Sequence, residues 1–238
     1  MSLKKSVGNM YPWVTHTHCH LGGECPHKCS YCYVDNPRWG RPAKYTGPLR
    51  LIEKAFSVRY DKVTLEKDDG TYPGVIFIEN CNDLFAADVP QPFINKIVHH
   101  CLRYPDNTYV FQTKNPARYL TMDALFPSSS IFGCTIETNR DIPEIGKAPR
   151  PIERYESMKK LPGRKFITVE PILDLDPPVM AGWIADIAPE FVNIGADSKG
   201  HHLPEPTPGK VRHLIALIEK AGIEIREKHN LNRMLQGA

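Results

Sequence analysis

Short runs rich in β-branched and aromatic residues alternate along this chain with longer runs of helical periodicity. That alternation restricts the fold more than any other feature. Strands are expected over residues 13–18, 75–81, 108–114, 130–138, 165–173, 191–197 and 223–228, and helices over 49–57, 92–103, 117–125, 152–161, 178–187 and 210–221. Strands joined through helices pair in parallel with right-handed crossovers. The run VIFIENC is nearly continuous in apolar residues, as a parallel strand covered by helices must be. The last helix, KVRHLIALIEKAG, repeats apolar residues at helical spacing and stops at Gly222, a candidate C-cap. A closed eight-stranded barrel needs about 250 residues, and here much of the chain after the first strand is spent on loop. The expected fold class is therefore α/β, a partial (β/α)6-type TIM-like barrel, as a single domain over residues 1–238.

Composition narrows the setting. Hydrophobic residues make up 41% of the chain and charged residues 24%, ordinary values for a globular protein. The net charge of +3 does not argue for a nucleic-acid partner, since no Lys/Arg-dense helix accompanies it. Apolar runs such as 75–78 and 214–218 are too short to span a bilayer. The start, MSLKKSVGNMYPW, lacks the apolar core of a secretory signal. No membrane partner and a cytoplasmic location are expected. Seven cysteines, odd in number and clustered, speak against a disulfide framework and for metal or redox chemistry. The charged stretch DKVTLEKDDGTYPG reads as a solvated hairpin.

In α/β architectures the C-terminal ends of strands carry the chemistry. Just after the first strand, HTHCHLGGECPHKCSYCYV packs four cysteines and four histidines together. Cys25, Cys29 and Cys32 follow a C-x3-C-x2-C spacing, which lets one tight loop aim three thiolates at one point. Three thiolates leave one iron of a four-iron cluster open for a chelating small molecule. Structural zinc wants a fourth ligand, which His16, His18, Cys19, His20 or His27 would have to supply. A metal-dependent hydrolase on a TIM-like barrel is a rival reading, because His16 and His18 form a His-x-His pair at the end of the first strand. Such barrels draw further ligands from later strand ends, and here none carries a histidine; His201 and His202 lie in the loop beyond. A zinc-binding nucleic-acid interaction module would explain four ligands but leave the barrel idle.

With Tyr31 just before the last cysteine, the motif resembles the signature of the radical S-adenosylmethionine superfamily. IENCNDLFAADVP, FQTKNPARYL, GCTIETNRD, FITVEPILDLD and VNIGADSKG extend the likeness from about Trp13 to Leu231. In that order they resemble a phage- and prophage-associated radical SAM family of unknown function, related to the spore photoproduct lyase branch. The resemblance implies a cluster loop at about residues 19–37, with a [4Fe-4S] cluster on Cys25, Cys29 and Cys32. It also implies S-adenosylmethionine as the second cofactor, cleaved to methionine and a 5′-deoxyadenosyl radical, and an electron donor such as flavodoxin or ferredoxin.

Residue by residue, Glu79 and Asn80 stand where the superfamily has a Gly-Gly-Glu turn contacting the methionine amino group, without its glycines. Asn82 and Asp83 resemble a Thr/Ser-Asp pair of the lyase-like branch. Thr113 and Lys114 resemble its Thr-Lys pair, whose lysine faces the S-adenosylmethionine carboxylate. Thr135 and Glu137 lie where that branch binds ribose or methionine groups, and Glu170 and Asp197 are expected to contact cofactor or substrate. Cys81, and less so Cys134, is a candidate hydrogen donor by the same resemblance; Cys101 is expected to be structural and Cys19 a loop residue that is not a ligand. Lys199, Lys228 and Asn230 are placed near the barrel mouth. The substrate class stays open among small molecule, nucleotide and nucleic acid, and no aromatic stacking platform is evident.

Overall fold

In the structure, a computed structural model, residues 3–7, 10–35, 42–61, 64–67, 70–122 and 126–236 are described. Seven parallel strands form one sheet in sequence order: β1 (His16–His18), β2 (Val75–Ile78), β3 (Thr108–Thr113), β4 (Ile131–Thr135), β5 (Lys165–Val169), β6 (Phe191–Ile194) and β7 (Glu224–Glu227). Lys4–Lys5 adds a short antiparallel strand beside β1, and β7 stands at the opposite edge, so the sheet is an open barrel. The crossovers carry α1 (Gln91–Leu102), α2 (Ala117–Leu120), α3 (Pro151–Lys160), α4 (Pro177–Ile187) and α5 (Pro208–Lys220). Among the described residues between β1 and β2 there is no α-helix; that crossover carries the cysteine loop and its supports. The charged stretch is a hairpin, Thr64–Lys67 paired with Gly70–Pro73.

Strand alternation sorts every side chain to one of two faces. Outward residues such as Ile76, Tyr109, Phe111, Cys134, Ile167, Val192 and Ile194 form the larger core beneath the helices. Inward residues Phe77, Val110, Ile131, Phe166 and Phe191 fill the lower lumen, where Tyr11 and Val14 from the segment before β1 plug it. Above this apolar layer lies a polar one. Gln112 donates to Thr135 Oγ1 at 2.8 Å, while the Tyr11 hydroxyl meets Gln112 Oε1 at 3.0 Å and Thr168 Oγ1 at 2.9 Å. Tyr11 therefore forms the floor of whatever lies above.

The helices begin and end as their sequences direct. Prolines stand in the first turns of α1, α3, α4 and α5, where the missing N–H costs nothing. Asp176 caps α4 by accepting from the Val179 N–H at 3.1 Å. Gly222 ends α5 with φ +74°, its N–H on Glu219 O at 2.9 Å and the Ile223 N–H on Ile218 O at 3.3 Å.

The expected helix over 49–57 is not formed. Arg50–Leu51 pairs antiparallel with Leu21–Gly22, the Ile52 N–H donates to His20 O at 2.7 Å, and only Glu53–Ser57 turns, as a 3-10 helix. The segment folds back onto the cysteine loop, and a ladder distant in sequence overrides its local helical pattern. The helix expected over 117–125 is four residues long, and 123–125 lie outside the described residues.

Gly133 sits inward on β4 against the Phe166 ring, where a Cβ would come within 2.1 Å of Cζ. Gly133→Ala is expected to cost about 1–3 kcal/mol of stability by overpacking, read as a lower urea midpoint with unchanged slope.

Candidate functional site

The cysteine loop has almost no regular structure, and buried groups at neighbouring strand ends hold it. Two residues lying between its cysteines make the attachments. His27 gives Nε2 to Asp83 Oδ2 at 2.8 Å, and the Tyr31 hydroxyl donates to Glu137 Oε1. Asp83 also accepts from Thr113 Oγ1 at 2.6 Å, from the Lys114 N–H at 2.7 Å and from the Phe85 N–H at 3.0 Å. Burial opposes its charge, but His27 and these donors outweigh it and hold the carboxyl below its ordinary range. Glu137 is fully buried, with Lys114 Nζ at 2.5 Å and Arg154 Nη1 at 2.6 Å. Burial again opposes ionisation, yet the two cations prevail and the carboxyl titrates at about 2. A second loop closes on the first: Ser30 N–H meets Ile145 O at 3.0 Å and Lys147 N–H meets His27 O at 2.6 Å.

Held this way, Cys25, Cys29 and Cys32 all line one cavity of about 640 Å³ at the C-terminal ends of the strands. None of the three is in a disulfide. Among the described residues no three His, Cys, Asp or Glu side chains are grouped closely enough to share one ion, so these thiols do not close on a single point. Burial pushes the Cys25 thiol up to about 12 and raises Cys29 and Cys32 as well. Thiols this reluctant to ionise would become thiolates only where a metal centre compensates the charge, since coordination deprotonates a thiol outright. The donor set fits a cluster gripped at three corners.

The other expected residues divide into wall and support. Asn80, Cys81, Asp83, Thr113, Lys114, Thr135, Glu170, Asp197, Lys199 and Lys228 line the cavity, as do Glu79 and Tyr31. Lys114 Nζ lies 5.1 Å from the centre of the Tyr31 ring, on the side of the cysteines. Glu137, expected as a ligand-binding group, is not on the wall; Tyr31, Lys114 and Arg154 enclose it. Glu79 takes φ +62°, the left-handed conformation that the missing glycines would have supplied. Its carboxylate accepts from His20 Nδ1 at 2.9 Å, from the Leu21 N–H at 3.1 Å and from the His20 N–H, so it braces the loop. Asp197 is likewise committed to its own turn, accepting from the Lys199 N–H at 3.0 Å and His201 Nδ1 at 2.7 Å. Glu170 pairs with Lys228 at 2.9 Å in the space that Gly195 leaves open. Asn230 is off the wall and staples Ala196 through its backbone oxygen at 2.7 Å. The sequence reading saw no aromatic platform, yet Tyr11, Tyr33 and Phe77 line the cavity.

The hydrolase and zinc-module readings fail on side-chain direction. His18 and His20 face outward against His100 of α1, and His16 shares their side of β1. Tyr60 binds His18 Nδ1 at 2.6 Å and His20 Nε2 at 3.2 Å, making the group a buried aromatic cluster under the helix. Cys19, facing the other way, is buried and does not line the cavity. Cys134 is fully buried in the outer core, which removes it as a hydrogen donor. Sequence reasoning missed Arg154, Tyr33 and Tyr11. Arg154 had a signal, an arginine on the face of α3 that carries Pro151, Tyr155 and Met158; Tyr33 had one in following Cys32 directly.

These groups set the acid response. Burial lowers the folded-state pKa of His18 to about 3 and of His100 to about 4, from 6.5. Both imidazoles stay neutral when folded, so their contribution is complete above pH 6.5 and is lost as pH falls toward those values. Glu137 adds stability that is present above 4.5 and lost as pH falls toward 2. Urea midpoints are expected to decline from about pH 6.5 downward and again below about pH 4.5; a flat profile from neutral to about pH 5 would contradict the histidine burial. Glu137→Gln, which strips Lys114 and Arg154 of their shared counter-charge, is expected to cost about 3–5 kcal/mol.

No family model and no curated protein sequence matches the chain. Solved structures do. A variant of spore photoproduct lyase superposes with a TM-score of 0.65 at 12% identity, over 94% of this chain and 79% of that one. A further variant, with bound AdoMet and dinucleoside spore photoproduct, gives 0.53 at 14% identity, over 90% of this chain and 64% of that one. Streptococcus suis SuiB bound to S-adenosylmethionine gives 0.58 at 10% identity, over 90% of this chain and 51% of that one. The chain thus spans less than two thirds of the length of some of these proteins. No helix among the described residues is long and apolar enough to cross a membrane. By its strand order, its open lumen and these superpositions, the chain has the partial-barrel fold of the radical S-adenosylmethionine enzymes.

Proposed function

We propose that this chain is a radical S-adenosylmethionine enzyme holding a [4Fe-4S] cluster through Cys25, Cys29 and Cys32. The supporting observation is that three thiols of one clamped loop share a cavity wall on which no other cysteine but Cys81 stands. The neighbouring imidazole, His27, is turned to Asp83. When bound, the cluster and S-adenosylmethionine supply one electron and a 5′-deoxyadenosyl radical that abstracts a hydrogen atom, with methionine as by-product.

The protein's own part is placement, charge and exclusion of water. Lys114 presents its ammonium beside the cysteines and suits the carboxylate of S-adenosylmethionine. Glu137, itself held by Arg154, keeps that ammonium from swinging away, while Asn80, Thr113 and Thr135 offer neutral polar groups along the same wall. Glu170, Lys228, Asp197 and Lys199 belong to the part of the wall formed by β5 to β7, where substrate would lie above Tyr11. Cys81 is suited to return a hydrogen atom to a substrate radical: its S–H bond breaks and a C–H bond forms. An electron donor such as flavodoxin or ferredoxin would serve the cluster. The cavity is of a size for a nucleotide or other small molecule as the reacting unit.

Protein purified anaerobically is expected to carry about four irons and four sulfides per chain and to release 5′-deoxyadenosine with S-adenosylmethionine and a strong reductant. Replacing Cys25, Cys29 and Cys32 together by alanine should abolish both. Deoxyadenosine formed undiminished by that variant, or zinc in place of iron in the native protein, would refute the reading. Lys114→Met is expected to keep the iron but weaken S-adenosylmethionine binding by roughly tenfold or more, the loss of a hydrogen bond to a charged group.

A further inference from the structure

Cys29 has a second side that the proposed reaction does not use. It lines the main cavity, and it also lines a separate chamber of about 30 Å³ together with Tyr31, Lys114, Ile142, Ile145 and Arg154. A chamber of that size admits about one or two water molecules. The loop between β4 and α3 closes it. Ser30 N–H donates to Ile145 O at 3.0 Å and Lys147 N–H to His27 O at 2.6 Å, so the two bonds flank Cys29 on one loop and Gly146 on the other. Gly146 lies directly against the cysteine: a Cβ there would stand 2.9 Å from His27 O and 3.1 Å from Cys29 Cα. Its φ of +153° is also one that residues other than glycine rarely adopt.

We propose that the Gly146 loop shields the chamber side of Cys29 from water and hydrogen-bond donors, and so holds the cluster at a low reduction potential. The inference rests on the cluster reading. Donors around Cys29 are committed elsewhere. The Ser30 and Lys147 N–H groups are spent on the two loop carbonyls, Cys32 N–H on Cys29 O at 3.0 Å and Gly146 N–H on Pro143 O at 3.4 Å. Tyr31, Lys114 and Arg154 all turn to the Glu137 carboxylate.

Reduction adds one electron, and so one negative charge, to a cluster already held by three thiolates. Water or N–H donors at a ligating sulfur favour that extra charge and raise the potential. A dry, closely packed sulfur does the reverse, and a low potential is what delivery of an electron to a sulfonium requires. The loop can be disturbed in two separable ways. Gly146→Ala must push it away from the cysteine, because the atoms that the new Cβ meets are backbone. Ile145→Ala leaves the backbone ladder in place and only widens the chamber, since Ile145 lines it with its side chain half-buried.

Two measurements on the native protein, Gly146→Ala and Ile145→Ala test this. In the metal-free chains, iodoacetamide labelling is followed cysteine by cysteine through mass spectrometric mapping. Cys29 is expected to react several-fold faster in Gly146→Ala and faster to a smaller degree in Ile145→Ala, with Cys25 and Cys32 unchanged. In the iron-loaded proteins, a potentiometric titration read by electron paramagnetic resonance is expected to give a higher midpoint in both variants, more so in Gly146→Ala. Unchanged labelling of Cys29, equal acceleration of all three cysteines, or a midpoint that stays or falls would overturn the proposal. Should Gly146→Ala fail to fold, Ile145→Ala decides by the same two readings. A native protein that takes up no iron would sink the cluster reading, with labelling still deciding whether the loop shields Cys29; iron with an unmoved midpoint would sink the role of the loop alone.

Discussion

Two buried carboxylates decide where the cysteine loop sits. A buried ionised carboxylate costs several kcal/mol unless charged or polar donors surround it, and Asp83 and Glu137 each have such a shell. In each case one donor comes from the loop itself, His27 to Asp83 and Tyr31 to Glu137. The C-x3-C-x2-C spacing therefore does two things at once. Its cysteines line the cavity, and residues between them fasten the loop to the ends of the barrel strands.

The barrel adds a second constraint, the two-residue period of its strands. Thr17 and Cys19 alternate with His16, His18 and His20, so one short run supplies both a thiol behind the cavity and a histidine cluster under α1. A sequence that looks like one dense metal-binding motif is thereby split between two sides of a sheet. The histidines become packing and hydrogen-bonding groups around Tyr60. The same period gives Gly133 and Gly195 their meaning, each a missing side chain that admits Phe166 of β5 or Glu170 just after it.

The strand order, the open parallel sheet and the position of the cysteine loop were legible because each rests on local pattern or short spacing. The wall residues Asn80, Thr113, Lys114, Thr135 and Glu170 were legible for the same reason, since strand ends in this architecture converge. What could not be read was which polar groups are spent on each other. Glu137 and Lys114 read as two independent groups in sequence and are joined in one ion pair in space; Glu79 and Asp197 look free and are consumed by neighbouring backbone. The helix expected at 49–57 failed because Leu21–Gly22, distant in sequence, offered a ladder. The aromatic part of the wall escaped because Tyr11 arrives from before the first strand and Tyr33 from a loop, where no period fixes direction.

The most direct measurement is electron paramagnetic resonance of the anaerobically reduced protein, with and without S-adenosylmethionine, for the native chain and for Cys19→Ala. Three loop thiols should leave one metal corner to the small molecule, so its addition should alter the signal, and equally in both proteins. A spectrum indifferent to S-adenosylmethionine in the native protein, but responsive once Cys19 is removed, would mean that the protein itself fills that corner.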